Sequence, residues 1–304
     1  MLESRTCSTG IDCLHDQRPA TATGDAGNEQ KWFDRHFREK AQYWRRIYQK
    51  ERDVFALIHQ QRMERVKKLV ELLELPAGTR ILEVGCGCGL TTIAMAQRGY
   101  QVDALDSVPA MIDLTRQAAE EVGVTPNVIA TVGDCHRLAY PDNSFQVVIA
   151  MGVTPFLHSL GRAMSEFVRV LKRGGHLIVN ADNCWRLNQL LDPLVSPPLR
   201  SLRCRVRKVF LRRRDSVSSN FSPHMYSPRE FNAIIAWAGL QVVSSSMLGF
   251  GPFSFFGLRL PNRLGLPFHS VLQALADLQF LVLRSTGSQY MVLATKPHEG
   301  VKAA

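Results

Sequence analysis

Residues 81–89 read ILEVGCGCG, a mostly apolar run that breaks after Val84 into glycines at positions 85, 87 and 89. Glycine has no Cβ, so it adopts positive φ at little cost and lets other atoms lie flush against the main chain. A plain strand-to-helix turn needs one such residue. Three at alternate positions point to a ligand held against bare backbone.

Outward from this stretch, short apolar runs alternate with helical ones. Strands are expected at Arg80 to Val84, Gln101 to Leu105, Val128 to Val132, Phe145 to Met151 and His176 to Asn180. Helices are expected at Leu90 to Arg98, at Pro109 to Val122, and where Met164, Phe167, Val168 and Leu171 share one face. The alternation predicts an α/β fold of βαβ units, its parallel sheet covered by helices on both faces. In such sheets ligands bind at the carboxyl ends of strands, where the strand order reverses. The glycines lie at that edge. A dinucleotide fingerprint would place its third glycine where this chain has Leu90, and a phosphate-binding loop would need a lysine that Leu90-Thr91-Thr92 does not offer.

Four stretches in order, ILEVGCGCGLTTIAMAQRG, VDALDSVPAMIDLTRQAA, VGDCHRLAYPDNSFQVVIAMGVTPFL and EFVRVLKRGGHLIV, resemble the class I S-adenosylmethionine (SAM)-dependent methyltransferases, particularly the ubiquinone and menaquinone biosynthesis type. The resemblance covers roughly residues 75–182, with a weaker echo in YSPREFNAIIAWAGLQVV and in a terminal strand from Gln289 to Lys296. It implies a Rossmann-like sheet of about seven strands whose last strand is antiparallel.

The resemblance also implies roles. Glu83, Gly85, Cys86, Gly87 and Gly89 would form the turn around the methionine part of SAM. Asp106 would accept both ribose hydroxyls, which suits a carboxylate because charge-assisted hydrogen bonds are strong; Asp103, inside the strand, is expected to serve structure. Asp134 and the backbone of Cys135 would read the adenine, Ser107 and Met111 would flank the adenosine, and Met151 with Gly152 would face the sulfonium and the acceptor. Gln146 departs from the pattern, since relatives often carry Asp there. In-line methyl transfer needs positioning more than a base. If the acceptor is a hydroxyl, His158 is the best-placed histidine for a general base, ahead of His136 and Tyr140. No metal is expected.

Composition narrows the partners. Lys and Arg outnumber Asp and Glu by 37 to 27, yet eight of the basic residues fall in Arg200 to Arg214, leaving about +2 elsewhere. That local basicity argues against a nucleic-acid enzyme. RSLRCRVRKVFLRRR would place Leu202, Val206, Val209 and Phe210 on one helical face with arginines around the rest. It suits peripheral contact with an anionic membrane or a phosphorylated substrate, and equally a solvated helix packed on the sheet. The odd count of seven cysteines suits a reducing, cytoplasmic setting, and the charged N-terminus gives no expectation of secretion. Phe231 to Leu258 is uncharged, but its glycines, serines and Pro252 break it into a helix, a strand and a loop.

The expected organisation is therefore a disordered tail over 1–28, a helical cap over 29–75 whose aromatic residues close over the cofactor, and a SAM-binding core over 76–182. A basic insertion follows over 183–226. A C-terminal part over 227–304 carries an apolar insertion at 249–288, in which Phe268, Val271, Leu272, Leu275 and Leu278 form a stripe suited to a greasy acceptor pocket or to extra core. The function expected is transfer of a methyl group to a small or lipid-like acceptor, O-methylation favoured. The rivals are a non-catalytic SAM-binding protein, a nicotinamide oxidoreductase, and transfer of another group from a SAM derivative. Oligomeric state is not legible.

Overall fold

A computed structural model describes residues 53–199, 224–256 and 258–298, together with positions 35, 38 and 39. The expected tail, the aromatic segment before residue 50 and the basic run 200–214 lie outside these residues, apart from those three positions.

Helix α1 (Val54–Glu71) opens the described chain, its N-terminus capped by Asp53, whose side chain accepts from the Ala56 N–H. Five parallel strands follow: β1 (Arg80–Val84), β2 (Gln101–Asp106), β3 (Val128–Val132), β4 (Phe145–Ala150) and β5 (Leu171–Asp182). Helices α2 (Leu90–Ala96), α3 (Pro109–Val122) and α4 (Leu160–Val170) connect them. After the short helix α5 (Leu187–Leu191) come α6 (Pro228–Trp237) and β6 (Gln241–Leu248). A small hairpin, β7 (Ser254–Phe255) with β8 (Leu258–Arg259), precedes α7 (Asn262–Asp277) and β9 (Gln289–Thr295).

The seven-stranded sheet has the order β3-β2-β1-β4-β5-β9-β6, and β9 runs antiparallel to both neighbours. Strand order reverses between β1 and β4, which pair with Leu82 opposite Val148 and Val84 opposite Ala150. Both faces are buried, so β1 and β4 are apolar without a polar side, as covered parallel strands require. Leu82, Phe145, Phe167 and Phe231 pack on one face; Ile81, Met95, Val66 and Ile149 pack on the other.

Several boundaries differ from expectation. β2 runs on to Asp106, while β4 and β9 stop one residue early, at Ala150 and Thr295. β5 starts at Leu171 and ends at Asp182, longer at both ends than His176 to Asn180: Leu171 pairs with Phe145 ahead of a register irregularity, and Ala181 and Asp182 pair with Tyr290 and Gln289 of β9. α2 ends at Ala96 and Gln97 caps it. Among the described residues no helix is long and apolar enough to cross a membrane.

The stripe expected on α7 is split. Leu272 and Leu275 pack, partly buried, against Phe250, Phe253 and Leu283 as extra core, whereas Phe268, Val271 and Leu278 are exposed; the fully buried positions are Gly265, His269, Gln273 and Ala276. A buried polar pair docks the helix: Gln273 accepts from the Gly249 N–H (2.9 Å), and His269 Nδ1 lies 3.1 Å from the Phe250 nitrogen.

Candidate active site

The carboxyl ends of β1, β2, β4 and β5 open into one cavity of about 680 Å³, roofed by α1. Glycines at 85, 87 and 89 all have positive φ, but they serve different ends. A Cβ on Gly85 would meet Val153 Cγ2 at 2.4 Å, and one on Gly89 would meet the Thr115 side chain at 2.9 Å. At Gly87 nothing lies within 4 Å, so a side chain there would stand in open space at the cavity wall. Gly87 is the position where bare backbone is offered to a ligand. Gly89 does not line the cavity and acts as the left-handed N-cap of α2.

Asp106 is fastened to this loop. Its Oδ2 accepts from the Gly87 N–H and its Oδ1 from the Val108 N–H, both at 2.9 Å. The carboxylate faces the cavity, and a carboxylate oxygen can accept more than one hydrogen bond. Asp103 is spent elsewhere, buried in a bidentate pair with Arg80 at 2.9 and 3.0 Å. Ser107 and the buried Met111 also line the cavity, Met111 packed with Val108.

Glu83 is fully enclosed below the loop. Burial pushes its carboxyl up to about 7, against the bonds from Thr92 and Thr91 that favour the ion. Cys86 and Cys135 line the cavity as buried thiols. Burial raises Cys86 well above its ordinary value, and burial with the Asp134 charge raises Cys135 to about 12.

On the far wall, Asp134 Oδ1 accepts from the His136 backbone N–H (2.9 Å) and lies 2.7 Å from His136 Nδ1. Partial burial works against the Asp134 charge, yet these bonds outweigh it and hold the carboxyl below its usual value. The His136 ring stacks on His158 with centroids 3.6 Å apart, and its Nε2 is buried without a partner. Two of the three expected base candidates are thus brought together at the cavity. Tyr140 is not among its lining residues and packs edge-on against Phe145 at 4.9 Å. Asp134, Cys135 and His136 also offer ligand atoms within 4.8 Å of one another. The Asp134 oxygen and His136 Nδ1 are turned on each other, 2.7 Å apart.

Met151 and Gly152 leave the end of β4 at the cavity. Asn180 Oδ1 accepts from the Gly152 N–H at 2.6 Å, and Arg62 Nη1 lies 2.9 Å from where a Gly152 Cβ would be. Gln146 sits at the opposite end of β4, its Nε2 donating to the Gly174 carbonyl.

Several cavity residues carry no motif. Phe55, Ile58, His59 and Arg62 come from α1, and burial drives the His59 imidazole down to about 3, with Arg62 adding to the shift. Asp182, Arg186, Asn188 and Gln289 form the end away from the glycines. Burial raises the Asp182 carboxyl, against the pull of Arg186 and Arg62. Asp182 was findable: it ends a strand at the ligand-binding edge. Among its described residues the apolar insertion contributes Gly251 and Pro252 alone.

Residues 82–179 match the family model described as a methyltransferase domain. The chain is 27% identical over 111 residues to a sterol 4-C-methyltransferase of Caenorhabditis elegans, a match covering 36% of this chain and 33% of that protein. It is 34% identical over 116 residues to a SAM-dependent Diels-Alderase of Talaromyces variabilis, covering 38% and 39%. These matches span little more than a third of either relative's length. Among solved structures, magnesium protoporphyrin IX methyltransferase from Synechocystis PCC 6803 with bound SAH shares the fold, with a TM-score of 0.58 at 16% identity over 90% of this chain and 100% of that one.

Proposed function

The chain carries a class I SAM-dependent methyltransferase domain, and on that premise we propose that it transfers a methyl group from SAM to a small or lipid-like acceptor. The observation that carries the reading is the Gly87 to Asp106 bond at the reversal point of the sheet, with both residues facing the cavity.

The residues fit this ligand. Gly87 leaves room for it, the Asp106 carboxylate faces the cavity with the chemistry to accept from hydroxyls, and Asp134 also lines the cavity. When bound, SAM supplies a methyl group activated by positive sulfur. What the chain contributes is position and dryness. Met151 and Gly152 fix where the acceptor approaches, the Asn180 bond holds Gly152 in place, and α1 excludes water.

O-methylation is the favoured chemistry, with His158 as the base that takes the hydroxyl proton. Its stacking on His136, itself oriented by Asp134, supports this reading. The acceptor end combines Pro155 and Leu157 with Arg186 and Asn188, which suits an amphipathic molecule. A relative named for a sterol substrate points the same way. The odd count of seven cysteines suits a reducing cytoplasmic setting.

The membrane reading of Arg200 to Arg214 rests on sequence alone. Reversing Arg203, Arg205 and Arg207 to Glu tests it, and unchanged vesicle binding would remove it.

The relative named as a Diels-Alderase favours one further reading, in which SAM is bound but its methyl is not transferred. Titration calorimetry with SAM, followed by incubation with methyl-labelled SAM and a cell extract, separates the two. Label in a lipid or small molecule supports transfer. Heat of binding with no labelled product supports the second reading, and no heat at all refutes both.

A further inference from the structure

Helix α7 is apolar on two sides. Its inner side docks on the 247–250 corner through His269 and Gln273. Its outer side carries Leu264, Phe268 and Val271, all exposed, and continues into Leu278, which is 78% exposed. A helix that merely covers a sheet turns polar residues outward.

The same surface extends in both directions. Beyond the helix, Phe280, Leu281 and Val282 are exposed in succession, and the Phe280 N–H bonds back to the Leu275 carbonyl. Before it, the β7–β8 hairpin holds out Phe255, Phe256 and Leu258, the last 79% exposed. Hairpin and helix are joined where the Phe253 ring meets Phe268 at 4.9 Å. Eleven of the twenty-four large apolar side chains exposed among the described residues fall within 255–282. Scattered exposed apolar residues are ordinary, whereas a concentration of this kind marks an interaction surface.

Charge selects the occupant. Arg259, Arg263 and Arg284 are exposed around the patch. Asp277 is the only carboxylate in 249–288, and it is paired with Arg65 at 2.7 Å. An apolar face rimmed by guanidiniums suits lipid phosphates above an acyl boundary. A second copy of the chain would instead bring arginine rims together.

We propose that the hairpin, the outer side of α7 and residues 280–282 form a docking face for an anionic membrane. The hairpin begins two residues after Pro252, which lines the cavity and whose carbonyl accepts from Asn188 at 3.1 Å. Docking therefore sets the cavity beside the bilayer, from which a lipid-like acceptor is taken. That last step rests on the methyl-transfer reading; the docking does not.

The test is sedimentation of the full chain, without SAM, with vesicles of phosphatidylcholine and phosphatidylglycerol. The parent is expected to bind. The double variants Phe255→Ser, Phe256→Ser and Leu281→Ser, Val282→Ser are each expected to weaken binding at least about tenfold. Their melting temperature and SAM affinity should match the parent's, since all four positions are exposed. A parent that does not bind, or variants that bind equally well, overturns the proposal. So does a dimer on size exclusion that the Phe255→Ser, Phe256→Ser variant converts to monomer, because the occupant is then a second copy. Vesicle binding without SAM affinity would leave the docking face standing and sink the methyltransferase reading.

Discussion

Asp106 Oδ2 accepts a hydrogen bond of 2.9 Å from the Gly87 N–H, so the carboxylate at the end of β2 and the loop after β1 hold each other in place. On the proposed reading, removing the carboxylate deletes two charge-assisted bonds to the ligand and frees the loop. Each such bond is worth about 1.5–3 kcal/mol. Asp106→Ala is expected to bind SAM at least about 100-fold more weakly by calorimetry, and an unchanged affinity refutes the site.

Substitutions at the glycines should separate stability from binding. Gly85→Ala puts a methyl group 2.4 Å from Val153 and forces positive φ, at a cost of about 3 kcal/mol in unfolding free energy. Adding Val153→Ala should restore part of that loss and leave the backbone strain. Gly87→Ala meets no neighbour and bears only the left-handed backbone strain, about 1–2 kcal/mol, so it should be the milder change in stability and should act mainly on SAM affinity, read by calorimetry. Denaturant melts of the three variants check this order.

Glu83 titrates inside the protein. Its folded value, about 7, lies above the unfolded value of 4.5, so the folded state favours the protonated acid. Its contribution to stability is full below 4.5 and is lost as pH rises through about 7. Glu83→Gln stays neutral throughout. Relative to the parent it should gain about 3 kcal/mol across that window, measured as the difference in unfolding free energy against pH. A flat difference would show that the carboxyl does not titrate there.

His158 should matter to turnover and little to the cofactor. Once an acceptor is identified, His158→Gln is expected to lower kcat about 100-fold or more while SAM affinity changes less than about threefold. Loss of the acid limb of the kcat profile in the variant would mark His158 as the group that must be unprotonated. A profile unchanged in shape would give the role to another residue.

The chain's alternation announces most of the sheet because β1 to β4 are apolar runs buried on both sides. β5 is read short because Lys172-Arg173-Gly174-Gly175 looks like a turn, and these four residues indeed have no partner on β4; the strand is longer because Leu171 before them pairs with Phe145. The expected residues Gly85, Gly87, Asp106 and Asp134 come to the cavity wall because each stands at or just after the carboxyl end of a strand, whereas Glu83 lies within β1 and Met111 within α3. His59, Arg62 and Arg186 could not be read from the sequence, since the cavity wall they share is made only when α1 and the post-β5 segment fold over the sheet. Helix α7 shows the limit of periodicity most directly. Spacing reveals that a face is apolar, but not whether that face points into the protein or out of it.

Gln61 and Arg65 of α1 are tied to His269 and Asp277 of α7, at 2.9 and 2.7 Å. The roof of the cavity is thus braced by a segment about two hundred positions downstream, outside the stretch that matches the methyltransferase-domain model. Cutting the chain back to that shared stretch would leave an open bowl without its rim.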